Sequence, residues 1–293
     1  MRILITGANG LLGYDLWHVL KDKHDVYGCG RSDPPYYINE KNWLKFDITH
    51  QEQTYLKITK LNPDIVVHLA AVSNVDFCEK NPEIAYKVNS LGTRNICLAC
   101  QRFDTTLCYV STDYVFDGEN IPENGYKEND RPNPINIYGK SKYLAEFYVK
   151  HLLNKFYIVR TAWLFGKNKN NFVEYILKSI NDSTDINVVT DHVGSPTYTK
   201  DLSEAISQLI EKQSYGVYHI TNSGGCSRQE VVDEVFKFLK KKTNVVKKTR
   251  KEFYFAPRPK DTRLDNFMWK LEGFPLLRHW KDALREYIGS LEL

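Results

Sequence analysis

Tyr138 and Lys142, four residues apart in the run YGKSK, are the side chains in this sequence best suited to moving a proton. If a helix opens near Asn136, that spacing projects both from one face. A free phenol has a pKa of about 10; a neighbouring ammonium and a positively charged ring would both favour phenolate and bring it towards working pH. Such a tyrosine donates a proton to a carbonyl oxygen being reduced. A companion hydroxyl stands in VSTDYVF, where Ser111 and Thr112 end an apolar run. Thr112 is assigned to the substrate oxygen beside the phenol, although either hydroxyl, and Ser111 more readily, could instead cap the following turn.

A proton donor of this kind needs a hydride donor, and the start of the chain offers a place for one. TGANGLLG sets Gly7, Gly10 and Gly13 three apart, with Asn9, Leu11 and Leu12 between them, after the apolar run RILIT and before an amphipathic stretch. A strand, a tight glycine turn and a helix N-terminus form a seat for a dinucleotide pyrophosphate, since backbone N–H groups and the helix dipole both favour the charge. The spacing differs from GxGxxG. At the end of the second strand, GCGRSD supplies Arg31 and Ser32, which suit a 2′-phosphate, so NADPH is the expected cofactor; Asp33 keeps NADH as the alternative. Asp47 and Ile48 in FDIT are placed at the adenine end, where Asp47 could equally cap a helix.

These groups must be held by a regular scaffold. RILIT, DVYGCGR, DIVVHLAA (64–71), TTLCYVST (105–112) and KFYIVRTA (155–162) read as strands separated by helices, one of them around 89–103. Crossover connections require a parallel sheet covered on both faces, so the predicted fold is a Rossmann-type doubly wound α/β sheet whose ligands gather at the strands' carboxyl ends. Residues 1–165 are read as the dinucleotide-binding domain and 166–293 as mainly a smaller C-terminal α/β substrate-binding lobe, with a segment near 186–212 returning to the first. GVYHIT is read as a short strand of the second lobe.

Composition excludes several classes. Forty basic against 36 acidic residues leave a net charge of +4, too small to imply nucleic-acid binding, and KFLKKKTNVVKKTRK reads as a solvated surface. IVVHLAAV, the longest apolar run, is too short for a membrane span. Six cysteines without a secretory pattern point to reduced thiols in a cytoplasm, and Cys97 and Cys100 lack a second pair for zinc. No metal is expected.

The glycine turn, HLAA, the pair Val88–Asn89, STDYVF and YGKSK occur in an order that resembles the extended short-chain dehydrogenase/reductase family from end to end. AAVSNVDFCEKNP, STDYVFDG, RTAWLFG, DHVGSPTY and RPKDTRLD are most similar to its dTDP-4-dehydrorhamnose reductase branch. The resemblance implies NADPH-dependent reduction of the 4-keto group of a nucleotide-linked 6-deoxyhexose by a monomer or homodimer. By the same carry-over Gly10, Leu11 and Leu12 contact the pyrophosphate, Ala70, Ala71 and Ser73 line the nicotinamide side, and Asn89 joins the cofactor residues. Thr112, Asp113 and Tyr114 fall to the sugar, with Trp163 beside it or the nicotinamide; Asn171, Val193 and Arg258 are further substrate candidates. The chain departs from the branch at Leu11, where a glutamine is frequent, and at His192, where DQxG is usual. The alternatives are a reductase or epimerase of another nucleotide sugar, or a non-catalytic NADP-binding regulator like the beta subunit of methionine adenosyltransferase.

Overall fold

The computed structural model describes residues 1–291. Strands β1 (Arg2–Thr6), β2 (Asp25–Gly30), β3 (Trp43–Lys45), β4 (Ile65–His68), β5 (Thr106–Thr112) and β6 (Phe156–Thr161) join a seventh strand, Gly216–His219, in one sheet. Its order is seventh strand, β6, β5, β4, β1, β2, β3, and every neighbouring pair is parallel. The chain runs outward from β1 to β3, then returns past β1 to β4, so the direction of winding reverses between β1 and β4. The helices above and below diverge there and leave a crevice at the carboxyl ends. Register brings those ends level, with Thr6 opposite both Cys29 and His68, and Thr112 opposite Thr161.

Alternate residues of each strand feed two cores. Ile3, Ile5 and Val67 pack with Leu12 and Leu16 of helix α1 (Leu11–Leu20) and with Leu202 and Ile206 of the helix Thr199–Ile210. Leu4 and Val66 face the other way, onto Ile96, Ala145 and Val149 from the helices Thr93–Arg102 and Ile137–Leu152. Full burial of each such aliphatic side chain contributes about 1.5–3 kcal/mol, which is why these strands are apolar throughout rather than alternating.

A third core joins the helices Phe172–Asn181, Arg228–Leu239 and Trp280–Gly289 over a small parallel pair, Ile186–Val189 with Val245–Lys248. Two segments are distributed differently from the sequence expectation. The return to the large sheet covers 199–219, because the helix Thr199–Ile210 covers α1 and Gly216–His219 pairs with β6; Ile186–Val189 stays in the smaller body. GVYHIT thus belongs to the large sheet, where Tyr218 and Ile220 are buried with Leu209 and Tyr157. The helix expected around 89–103 opens as a π-helical turn, Tyr86–Gly92, before becoming α-helical. Among the described residues no helix is long and apolar enough to cross a membrane. All six cysteines are buried and unpaired, and burial pushes the Cys100 thiol up to about 12.

Candidate active site

One cavity of about 690 Å³ runs along the carboxyl edge of the large sheet, within the size range of small-molecule sites. At one end lies the glycine turn. Gly7 has φ +67°, and a Cβ there would stand 2.8 Å from the Ala70 backbone nitrogen, so no other residue fits between β1 and β4. Gly10 precedes α1 without a side-chain cap, and the first helical turn carries no acid, leaving its N–H groups facing the cavity with the positive helix end behind them. Asn9, Leu11, Leu12 and Gly13 complete this wall.

Beyond β2, Arg31 and Ser32 also line the cavity. Asp33 does not; its carboxylate is 2.8 Å from the Lys45 ammonium. Asp47 and Ile48 lie on the wall nearby. Burial pushes the Asp47 carboxyl upward, but the Thr49 backbone N–H, 2.9 Å away, and the Thr49 hydroxyl outweigh it and hold the group below its usual range. An uncapped helix end, a glycine cradle and the Arg31 guanidinium at the end of β2 are a donor set that fits NADPH, and Ala70, Ala71 and Ser73 line the cavity after β4, with Ala70 directly against Gly7.

The middle of the cavity holds Tyr138, Lys142 and Thr112 together. Asn136 caps the helix Ile137–Leu152 by accepting from the Gly139 N–H at 2.8 Å. Gly139 makes the placement workable: a Cβ there would fall 2.1 Å from the Tyr114 carbonyl oxygen. The helix can therefore approach β5 closely enough to bring the Tyr138 phenol beside the Thr112 side chain. Burial raises the phenol above its ordinary pKa, and the neighbouring Thr112 hydroxyl pulls it partly back. Lys142 donates to the Val110 carbonyl oxygen at 2.7 Å. Burial depresses its ammonium to about 7, against the upward pull of Glu146 one turn along.

Thr112 both accepts from the Tyr114 backbone N–H (3.1 Å) and donates to the Asp113 carboxylate (3.0 Å), so the turn cap and the cavity hydroxyl are one residue. Ser111 caps nothing and donates to the buried Glu146 at 2.6 Å. Asp113 also accepts from the Thr262 hydroxyl; burial lifts its carboxyl to about 6, with both threonine bonds opposing the rise. Tyr114, Trp163 and Asn171 also line the cavity. Asn171 spends its side chain capping the helix Phe172–Asn181 and donating to the Gly166 carbonyl oxygen.

Three expected site residues are not on the wall. Asn89 stands behind it, bridging the Val72 backbone and the Ser141 hydroxyl, and so links the Ala70–Ser73 path to the tyrosine helix. Val193 is bonded through its backbone to Lys260 and Thr262. Arg258 is paired with Asp76 and lies over the Tyr254 ring. Conversely, Arg228 lines the cavity and was not singled out from the sequence, where only the S-x-x-E capping box Ser227–Glu230 marks its neighbourhood.

A family model described as the RmlD substrate binding domain matches residues 1–293. The chain belongs to this family. As a member of the RmlD substrate binding domain family it is 35% identical to the spore coat polysaccharide biosynthesis protein SpsK of Bacillus subtilis, over 98% of this chain and 96% of that protein. It is 33% identical to a dTDP-4-dehydrorhamnose reductase of Streptomyces griseus, over 99% and 94%. The crystal structure of dTDP-4-dehydrorhamnose reductase from Bacillus anthracis in complex with NADP superposes with a TM-score of 0.90 at 39% identity, covering 99% of each chain.

Proposed function

We propose that this chain is an NADPH-dependent reductase of the 4-keto group of a nucleotide-linked 6-deoxyhexose, converting dTDP-4-dehydro-L-rhamnose to dTDP-L-rhamnose. The observation that carries the reading is the presence, along one cavity, of a dinucleotide seat at one end and the Tyr138–Thr112–Lys142 cluster in the middle. Relatives of matching length that bear the reductase name supply the substrate.

In this reading the uncapped end of α1 binds the pyrophosphate and Arg31 and Ser32 the 2′-phosphate, while Ala70, Ala71 and Ser73 support the nicotinamide side. NADPH supplies the hydride that reaches the carbonyl carbon. Tyr138 gives its proton to the carbonyl oxygen, turning C=O into CH–OH, and Thr112 holds that oxygen in line. Lys142 fixes the tyrosine helix to β5 and contacts the cofactor ribose. Asp113, Tyr114 and Trp163 shape the sugar end, and the smaller body closes over the nucleotide. Six buried, unpaired thiols accord with a cytosolic enzyme feeding surface-polysaccharide assembly.

The test is consumption of NADPH on adding dTDP-4-dehydro-L-rhamnose, with mass spectrometry of a product that has gained two hydrogens. Turnover of a GDP- or UDP-linked ketone alone would reassign the substrate. NADPH binding without reduction of any keto-sugar would overturn the reaction.

A further inference from the structure

Three buried polar atoms without hydrogen-bond partners cluster where the smaller body meets the cavity: Trp163 Nε1, His192 Nδ1 and Arg228 Nε. The Arg228 guanidinium carbon lies over two rings, 3.6 Å from the Trp163 centroid and 4.7 Å from that of Phe172. The His192 ring, 1% exposed, meets Trp163 edge-on at 4.9 Å. Arg228, Arg250 and Arg258 all bear electrostatically on that imidazole. Arg250 is matched by Asp191 and Arg258 by Asp76, whereas among the described residues no carboxylate forms an ion pair with Arg228.

The local structure holds this cation against two opposing effects. Arg228 is the first residue of the helix Arg228–Leu239, where the helix dipole disfavours positive charge, and its Nε has lost water without gaining an acceptor. Trp163, which carries the guanidinium on its face, has φ +45°, unusual for a bulky side chain. Its indole passes over Gly194, where a Cβ would lie 2.5 Å from the ring. Backbone strain, a glycine gap and an unmatched charge serving one side chain are features a fold retains where a ligand uses them.

We propose that Arg228 binds the diphosphate of the nucleotide-linked substrate, with Trp163 and Phe172 holding its fork in plane. The assignment rests on the nucleotide-sugar reading above and adds a specificity residue to it. Arg228 lines the same cavity as Tyr138 and Thr112, on the wall that Trp163 and Phe172 also form, and Asp113 and Tyr114 are among the groups that act electrostatically on it. In a 4-keto hexose the diphosphate hangs from C1, across the ring from the carbonyl held by Tyr138 and Thr112. A planar guanidinium matches phosphate oxygens in a way a lysine does not, and a water-poor wall strengthens the contact.

Calorimetry on the full chain saturated with NADP⁺ would compare dTDP with thymidine, for the native protein, Arg228→Gln and Arg228→Lys. The native protein should prefer dTDP; Arg228→Gln should shrink that preference roughly ten- to a hundredfold and Arg228→Lys by less, with thymidine and NADP⁺ binding unchanged as a check on folding. KM for the keto-sugar should rise more than kcat falls. A preference for dTDP over thymidine that survives intact in Arg228→Gln overturns the assignment while leaving the reductase reading in place. A native protein that neither distinguishes dTDP from thymidine nor reduces the keto-sugar overturns the reductase reading, and this assignment with it.

Discussion

Lys142 holds its ammonium 2.7 Å from the Val110 carbonyl oxygen and 4.2 Å from the centre of the Tyr109 ring, both on β5. The helix bearing Tyr138 is thereby fixed to the strand bearing Thr112. Sequence spacing suggests a lysine that favours phenolate directly; instead burial governs the phenol, and Thr112 is the neighbour that lowers its pKa. In the proposed reduction a raised pKa suits a group that must begin protonated.

Replacing Tyr138 by Phe removes the proton donor while keeping the ring that meets Tyr114 edge-on. Steady-state kinetics should show kcat falling about 10²–10⁴-fold. NADPH binding, followed by fluorescence, should be unchanged, and full activity in this variant would assign the proton to another group.

Lys142 also makes stability depend on pH. Its pKa falls from 10.5 to about 7 on folding, so between those values the unfolded chain binds more protons and stability rises with pH. Below about pH 7 the cost of the buried charge is felt in full. Lys142→Met should therefore raise Tm most at pH 6 to 7, with the gain shrinking towards pH 10. Asp113 behaves oppositely: its pKa rises from 3.8 to about 6, so its burial costs stability above that window, and Asp113→Asn should stabilise above pH 6 but not below pH 4. Melting curves across pH test both.

Arg31→Ala should weaken NADPH roughly ten- to a hundredfold, the loss of a charge-assisted phosphate contact, and change NADH little. Asp33 is held by Lys45 and is not positioned to compensate. Equal loss for both cofactors in titrations would remove Arg31 from the 2′-phosphate.

Behind the site, Arg160 and Glu146 form a fully buried pair at 2.7 Å, with Ser111 on the same carboxylate. Arg160→Met leaves that carboxylate with only the Ser111 hydroxyl and the half-exposed Lys150 ammonium at 3.8 Å, and should cost about 3 kcal/mol in denaturant unfolding. Arg160→Met combined with Glu146→Gln should recover part of the loss.

The sheet and many of the residues that line its cavity were readable because their signals are local. A strand, a glycine turn and an amphipathic helix follow one another within residues 2–20, and the four-residue spacing of Tyr138 and Lys142 needs only a helix to become geometry. Asn136, the expected helix opening, is the cap. What escaped depends on contacts between distant segments. Nothing near GVYHIT says that it pairs with β6 rather than within the smaller body, since a short apolar strand suits either. Arg228 resembles any surface arginine in sequence, and its meaning comes from Trp163, 65 positions earlier, turning its ring beneath it. Asn89 was placed on the wall when it braces the wall from behind, a difference of one side-chain layer.

Residues 199–219 cross back to cover α1 and extend the sheet after the chain has already built part of the smaller body. The two bodies are consequently stitched rather than strung: severing the chain after residue 165 would strip Leu202, Ala205, Ile206 and Leu209 from α1 and bare the very helix whose end lines the cavity beside the glycine turn. Neither half is a cassette that could be borrowed alone, and any opening of the crevice must bend several strands of chain at once.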